Sequence, residues 1–307
     1  MNQPLLSIVI ASYNYGRFLD EAIRSLLSQS CQDFELIVID GGSTDNSVEV
    51  IRKYAGGLPG GVTKTKGEGE QWNSKISYWG SEKDRGQSNA FNKGFAKARG
   101  RFLTWLNADD VMLPGTIEKL KTAAERHPEC EWFVGGVFWL DPEMKIVNCG
   151  RGRPFSELRY RAGNVSVWGP SSFFTKRLLD AVGGVDERFH YTMDTDLWLR
   201  FACKQGARYR PFCDYAWGLR LHPDAKMSGH NFTADGKFDT QCSNNDKLKA
   251  SKHYAQMVQE SQWQLEYFTP RKSSRVSHLM SVSWGKVLLA WIDLKRFGGR
   301  HYMEFFK

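Results

Sequence analysis

Two apolar, β-branched runs constrain this chain most: "LLSIVIASYN" from Leu5 and "FELIVID" from Phe34. Each is too continuous for a half-exposed strand and too short for a buried helix, so each reads as a strand covered on both faces. Between them, "YGRFLDEAIRSLLSQS" places Phe18, Ala22, Leu26 and Gln29 near helical spacing, with a polar opposite face. A second helical pattern, "NSVEVIRKYA", follows the second run. Strand, helix, strand, helix predicts a parallel α/β unit with right-handed crossovers. Ligands of such sheets bind beyond the carboxyl ends of the strands, which here carry Ser12-Tyr13-Asn14 and Asp40-Gly41-Gly42-Ser43.

Further along, "QSNAFNKGFAKARG" reads as a helix, "RFLTWLN" as a strand and "PGTIEKLKTAAERHP" as a helix. "EWFVGGVFWLD" and "KIVNCGR" read as antiparallel strands, "SSFFTKRLLDAVGG" as strand into helix, and "TDLWLRFACKQG" as an amphipathic helix. The six cysteines show no CxxC or Cys/His ligand spacing, which points to reduced thiols rather than a structural zinc. The sequence starts in a strand-like run without a basic-then-apolar leader, and no apolar stretch reaches the ~18–20 residues of a membrane span, so the expected location is cytoplasmic. Of the formal net charge of +8, nearly all lies in the tail: Lys247 to Lys307 holds 11 Lys/Arg against 4 Asp/Glu, leaving 31 against 30 before it. A nucleic-acid-binding globule would carry that excess on its folded part, so no nucleic-acid partner is expected.

Asp109 and Asp110 stand side by side at the end of the "RFLTWLN" strand. An isolated Asp-Asp before Pro114-Gly115 would be read first as turn and cap chemistry. Asp40, at the same edge of the same sheet, changes that weighting. Carboxylates gathered there repel unless a cation or a donor-rich ligand joins them, and a hard divalent ion shared with substrate phosphates is the usual answer. Asp194 and Asp196, in "MDTDLWLR", open a helix whose first turn favours negative charge, so one of them is expected to be structural. His222, in "LRLHPDAKMS", is a lone histidine, and Lys226 follows it at a spacing suited to a phosphate-touching loop. Neither GxGxxG nor GxxxxGK[ST], GxSxG or HExxH occurs, which argues against dinucleotide, P-loop, serine-hydrolase and zincin chemistry.

Three blocks, "SIVIASYNYGRFLDEAIRSLLSQSCQDFELIVIDGGSTDNS", "SEKDRGQSNAFNKGFAKARGRFLTWLNADD" and "GPSSFFTKRLLDAVGGVDERFHYTMDTDLWLRFA", resemble the inverting family-2 glycosyltransferases of the GT-A fold. The likeness spans Leu5 to Ser228, in the family's order and at its intervals. It implies a Rossmann-like, mostly parallel central sheet flanked by helices over residues 1–240, with a helical basic C-terminal extension over 241–307. It also implies that Ala11, Tyr13 and Asn14 lie beside a nucleotide, that Asp40 faces its base or ribose, and that Asp84 and Arg85 contact nucleotide or phosphate. Asn107-Ala108-Asp109 occupies the DXD position, with Asp109 a ligand of Mg²⁺ or Mn²⁺ and His222 touching metal or diphosphate. Asp194 matches the family's general base.

Two positions depart from the family pattern: Asn107 stands for the first Asp of the DXD, and Met193 for the Glu that usually precedes the base. The QxxRW signature of processive synthases is absent, so a single sugar is expected to move. The activity implied is metal-dependent transfer of one sugar from a nucleotide-sugar donor to a hydroxyl of a glycan or lipid-linked oligosaccharide, in surface polysaccharide assembly. The alternative, motivated by Asn107 and Met193, is a non-catalytic sugar-nucleotide or glycan-binding relative. In the tail, Met280, Trp284, Val287, Leu288, Trp291 and Leu294 share one helical stripe. That stripe either packs on the domain or lies in a membrane surface, anchoring residues 278–300 peripherally at the inner face.

Overall fold

The structure is a computed structural model and describes residues 3–55, 75–155 and 167–226, with 256, 259, 260, 301 and 303 from the tail. Both founding runs are strands, β1 (Leu6–Ser12) and β2 (Phe34–Asp40), paired in parallel from Leu6↔Phe34 to Ser12↔Asp40. The helices α1 (Gly16–Leu27) and α2 (Ser47–Ala55) follow them as the spacing predicts. β3 (Ile76–Ser81) extends the sheet beyond β2, while α3 (Gln87–Lys97) crosses over to β4 (Phe102–Asn107), which pairs in parallel with β1 on its other side.

Side chains of β1 alternate between two cores, as the pleat requires. Ile8 and Ile10 join Leu19, Ile23 and Leu26 of α1, whereas Val9 packs with Ile37, Phe91, Phe95 and Trp105. Both faces of the sheet are therefore buried, which is why β1 and β2 lack polar alternation.

The apolar run at 132–140 is not one strand. β6 (Trp132–Val134) belongs to the seven-stranded sheet, ordered β10 (Arg210–Pro211)-β6-β9 (Ser172–Thr175)-β4-β1-β2-β3, and β7 (Val137–Leu140) belongs to a four-stranded sheet, ordered β5 (Val111–Met112)-β11 (Trp217–Arg220)-β7-β8 (Ile146–Gly150). The crossing falls at Gly135-Gly136, where backbone meets backbone: a Cβ on Gly136 would sit 2.0 Å from the Asp214 carbonyl oxygen. Only glycine fits there. β7 does pair antiparallel with β8 (Ile146–Gly150), as the sequence suggested.

The remaining elements are β5 (Val111–Met112), α4 (Thr116–Arg126), β9 (Ser172–Thr175), α5 (Lys176–Ala181), α6 (Met193–Gln205), β10 (Arg210–Pro211) and β11 (Trp217–Arg220). β9 runs antiparallel between β4 and β6. The sheet is thus mostly parallel with an antiparallel insertion. No helix of the described residues is long and apolar enough to cross a membrane.

Most of the predicted extension at 241–307, including the Trp-bearing stripe at 278–300, lies outside the described residues. Two of its described residues touch the domain. His301 forms a β-bridge with Lys145, and the Glu260 carboxylate accepts hydrogen bonds from residues 190–192.

Candidate active site

β1, β2 and β4 end at one height. The register pairs Ala11 with Asn107 and Ser12 with Asp40, so their carboxyl ends form a single sheet edge. Above it opens a cleft of about 380 Å³, lined among others by Ala11, Tyr13, Asp84, Asn107, Ala108, Asp109, Asp194 and Lys226. Asp109 and Asp194, 85 positions apart in the chain, meet in this one cavity because α6 delivers its first turn to the end of β4.

The turn after β4 is built around Asp110. The Asp110 side chain is buried, its Oδ2 accepting from the Asn107 amide at 2.7 Å and its Oδ1 from the Arg220 backbone N–H at 3.0 Å. Burial, then the neighbouring Asp109 charge, holds its carboxyl well above the usual carboxylate range. Asp110 therefore does not cap α4, which begins after Gly115 without a side-chain cap. Arg220 closes the turn from below, its Nε donating to the Asp109 carbonyl at 2.9 Å and its guanidinium pairing with Glu21 at 2.5 Å. With its backbone pinned, Asp109 keeps its carboxylate available at the cleft.

His222 stands behind Asp109, with Nε2 at 3.0 Å from Asp109 Oδ2. Its ring is packed against Phe18, at 4.5 Å between centroids, and its Nδ1 is buried without a hydrogen-bond partner. Two ligands of an octahedral ion at ~2.1 Å would also lie about 3 Å apart, so this carboxylate–imidazole pair suits a cation that both could hold. No group of three His, Cys, Asp or Glu converges among the described residues. A divalent ion here would take most of its oxygens from elsewhere, as an ion bound with a diphosphate does. On that chemistry the residues fit a metal.

The two acids of α6 divide. Asp196 turns away and accepts from Arg200 Nε at 2.8 Å, a buried i,i+4 pair. Asp194 faces the cleft, where its Oδ1 accepts from the Thr195 N–H at 2.7 Å. Burial raises the Asp194 pKa above its ordinary value, and the Thr195 hydrogen bond and the Lys226 ammonium only partly oppose the rise. Met193 is buried, and its sulfur accepts from the Ser88 hydroxyl. The position that carries a Glu in the family thus packs into the core here.

Four of the sequence candidates do not line the cleft: His222, buried behind Asp109, and Asp40, Asn14 and Arg85. Asp40 is fully buried: Ser43 N–H, Ser43 Oγ, Gly42 N–H and Ser81 Oγ all donate to it, so it shapes the loop after β2. Asn14, at φ 57, accepts from the Thr44 N–H at 2.8 Å and latches the loops after β1 and β2 together. An asparagine tolerates that left-handed backbone better than most residues. Arg85 is largely exposed, its guanidinium engaged by Glu187 at 2.7 Å. Asp84 does line the cleft, and its Oδ1 accepts from Gly86 N–H at the start of α3.

Gln87 belongs to the site although no motif marks it. Its amide links Asn107, which accepts at 3.0 Å, to Lys226, which donates to it at 3.1 Å. Lys226 also donates to the His190 carbonyl, and burial lowers its pKa to about 8 against the pull of Glu260 and Asp194. Its position four residues past His222 was the available sequence signal. Gln87 carried none, since an amide in the first turn of a helix is ordinary.

Residues 7–135 match the family model described as Glycosyl transferase family 2. An uncharacterized glycosyltransferase from Nostoc is 37% identical over 115 residues, which cover 38% of this chain and 31% of that protein. Another, from Methanocaldococcus jannaschii, is 25% identical over 210 residues, covering 65% of each. The chain therefore spans less than two thirds of the length of these curated relatives. Among solved structures, Staphylococcus aureus TarS 1–349 in complex with UDP aligns with TM-score 0.51 at 16% identity, covering 91% of this chain and 76% of that one. The mannosyltransferase PcManGT from Pyrobaculum calidifontis, in complex with GDP-Man and Mn²⁺, aligns with TM-score 0.51 at 15% identity, covering 92% and 79%. The fold of the chain is that of the GT-A glycosyltransferases, and within it residues 7–135 are similar to glycosyl transferase family 2.

Proposed function

We propose that this protein transfers one sugar from a nucleoside-diphosphate sugar to an acceptor hydroxyl, inverting the anomeric centre, with Asp194 as the general base. The observation that carries this reading is the meeting of Asp109, Lys226 and a raised-pKa Asp194 in one 380 Å³ cleft. A base poised above the ordinary carboxylate range removes a hydroxyl proton more readily near neutrality. Both solved structures of the same fold hold a nucleotide, which supports a nucleoside diphosphate as the leaving group.

Asp109 and His222 would hold a divalent Mg²⁺ or Mn²⁺, which when bound supplies charge neutralisation for the departing diphosphate. Lys226 adds a second positive charge within the cleft. Tyr13, 59% exposed at the mouth, offers a ring on which a base can stack. Asp194 accepts the acceptor's proton as its oxygen attacks, so displacement is direct and no enzyme nucleophile is needed. The acceptor is a glycan or lipid-linked hydroxyl, and residues 1–240 form the catalytic unit.

Turnover of a panel of UDP- and GDP-sugars with Mn²⁺ tests the assignment. Asp194→Asn should lose transfer by about two orders of magnitude or more while binding the donor nucleotide as tightly as the wild type. An Asp194→Asn variant that keeps its rate sinks the proposal. Nucleotide binding without turnover in the wild type would leave the non-catalytic relative standing.

A further inference from the structure

The helix that carries Asp194 has no cap of its own. Thr192, at the N-cap of α6, makes no capping bond through its side chain. Instead, the carboxylate of Glu260, 68 positions later in the chain, closes that end. It accepts from three consecutive backbone amides: His190 at 2.9 Å, Tyr191 at 2.9 Å and Thr192 at 3.0 Å. The Thr192 hydroxyl adds a fourth bond at 3.1 Å, and the Gln256 amide a fifth. Glu260 is 1% exposed. A run of amides curled around one carboxylate at a helix N-terminus is a strong anion nest, and the helix dipole favours the charge further.

The segment so held is cleft wall. His190 and Tyr191 line the cavity, the His190 carbonyl receives Lys226, and Asp194 begins two residues beyond Thr192. His301, forming its bridge to Lys145, shows independently that the tail returns to the domain.

We infer that Glu260 is a positioning residue for the transfer reaction, so that the C-terminal extension completes the active site by fixing residues 190–192 and with them Asp194 and Lys226. The inference rests on the proposed role of Asp194. The charged groups facing Glu260 are consistent with it. Burial lowers the Lys226 pKa, with the Glu260 and Asp194 charges opposing the fall, and the Glu260 carboxyl, despite the cost of its own burial, is pulled below its ordinary value by the three amides. Loss of the carboxylate would strand three donors in a buried position and free the loop to move.

The test uses the full chain, with Glu260→Gln and the milder Thr192→Val, which removes one of the five bonds. Rates are normalised to the folded fraction read by near-ultraviolet circular dichroism. Glu260→Gln retains the shape but turns one acceptor into a donor that faces N–H groups. It should lower kcat/KM by about tenfold or more, through kcat as the base is displaced and through the donor KM as Lys226 loses its anchor at the His190 carbonyl. Hydrogen exchange of the Tyr191 and Thr192 amides, measured without donor and again with UDP or GDP and Mn²⁺, should quicken in both variants. Thr192→Val should show the same directions with smaller effects, and carries the test alone if Glu260→Gln does not fold. Unchanged exchange at 190–192, or unchanged kcat/KM in the folded fraction, overturns the inference. The exchange measurement needs no turnover. It separates a failure of this inference from a failure of the Asp194 assignment, which Asp194→Asn decides.

Discussion

The amide of Asn107 donates to the buried carboxylate of Asp110 at 2.7 Å, while its own oxygen accepts from Gln87 at 3.0 Å. Both ends of the side chain are used, and the end that donates to Asp110 needs an amide. An aspartate at 107 could not donate to Asp110 unless protonated, and would set three carboxylates around one turn. The departure from the DXD pattern is thus paired with a local requirement: this chain buries Asp110 and satisfies it from Asn107.

Asn107→Asp should therefore destabilise the fold, by about 1–3 kcal/mol for the stranded buried group. Asp110 has its pKa raised in the folded state, so the fold binds that proton more tightly than the unfolded chain does. Its contribution is fully present below the ordinary carboxylate pKa and is lost as pH rises through the folded value. A second acid at 107 enlarges this loss, so in urea unfolding the gap between variant and wild type should widen as pH rises above the ordinary carboxylate range. A gap that narrows as pH rises would contradict the assignment.

Transfer by the wild type should fall as pH drops through the raised pKa of Asp194, because the base is active only when deprotonated. That acid limb in kcat is expected above the ordinary carboxylate range, since burial is the leading cause of the shift. Trp105 and Gly169 wall the site: a Cβ on Gly169 would meet Asp194 Oδ2 and Trp105 at 3.4 Å. A pH–rate profile whose acid limb lies at or below the ordinary carboxylate pKa would show that another group sets it.

Lys226 supplies charge that titrates within reach of ordinary assays. With its pKa lowered to about 8, it is cationic below that pH and neutral above it, so donor affinity should weaken as pH rises through about 8. Lys226→Arg keeps its charge and should lack that decline. Lys226→Ala should raise the donor KM by about tenfold, the order of one charge-assisted hydrogen bond. Calorimetric titration of UDP and GDP with Mn²⁺ at several pH values reads the pH dependence of binding, and initial rates against donor concentration read the change in KM.

In α3, Gly94→Ala should be destabilising although alanine is the better helix former. The added Cβ would lie 2.3 Å from Val9 Cγ1, at the centre of the sheet. Overpacking of that kind costs about 1–3 kcal/mol, more than the ~1 kcal/mol of helix propensity gained. Val9→Ala in the same chain should restore part of the stability by making room. If Gly94→Ala raises the melting temperature, α3 does not pack on β1 at this distance.

By itself the sequence determined the order and type of β1, α1, β2, α2, α3, β4 and α4, though not of β3. Runs such as "SIVIAS" and "FELIVID" are continuous because both sheet faces are buried, and that pattern is local. It also marked the 107–110 turn and the "MDTD" helix start as places where acids gather. It could not tell which acid serves which purpose. Asp194 faces the cleft and Asp196 meets Arg200 because the two lie on different sides of one helix, and only the helix's packing selects the open side. Asp40, Asn14 and Arg85 carry suitable chemistry, yet the fold engages each with partners outside the cleft. The switch of sheet at Gly135-Gly136 escaped a linear reading, because the atoms that require glycine at 136 come from residues 150, 151 and 214. Gln87 and Glu260 were equally invisible. Their roles depend on the partners they bridge, and those contacts exist only once distant segments have been brought together.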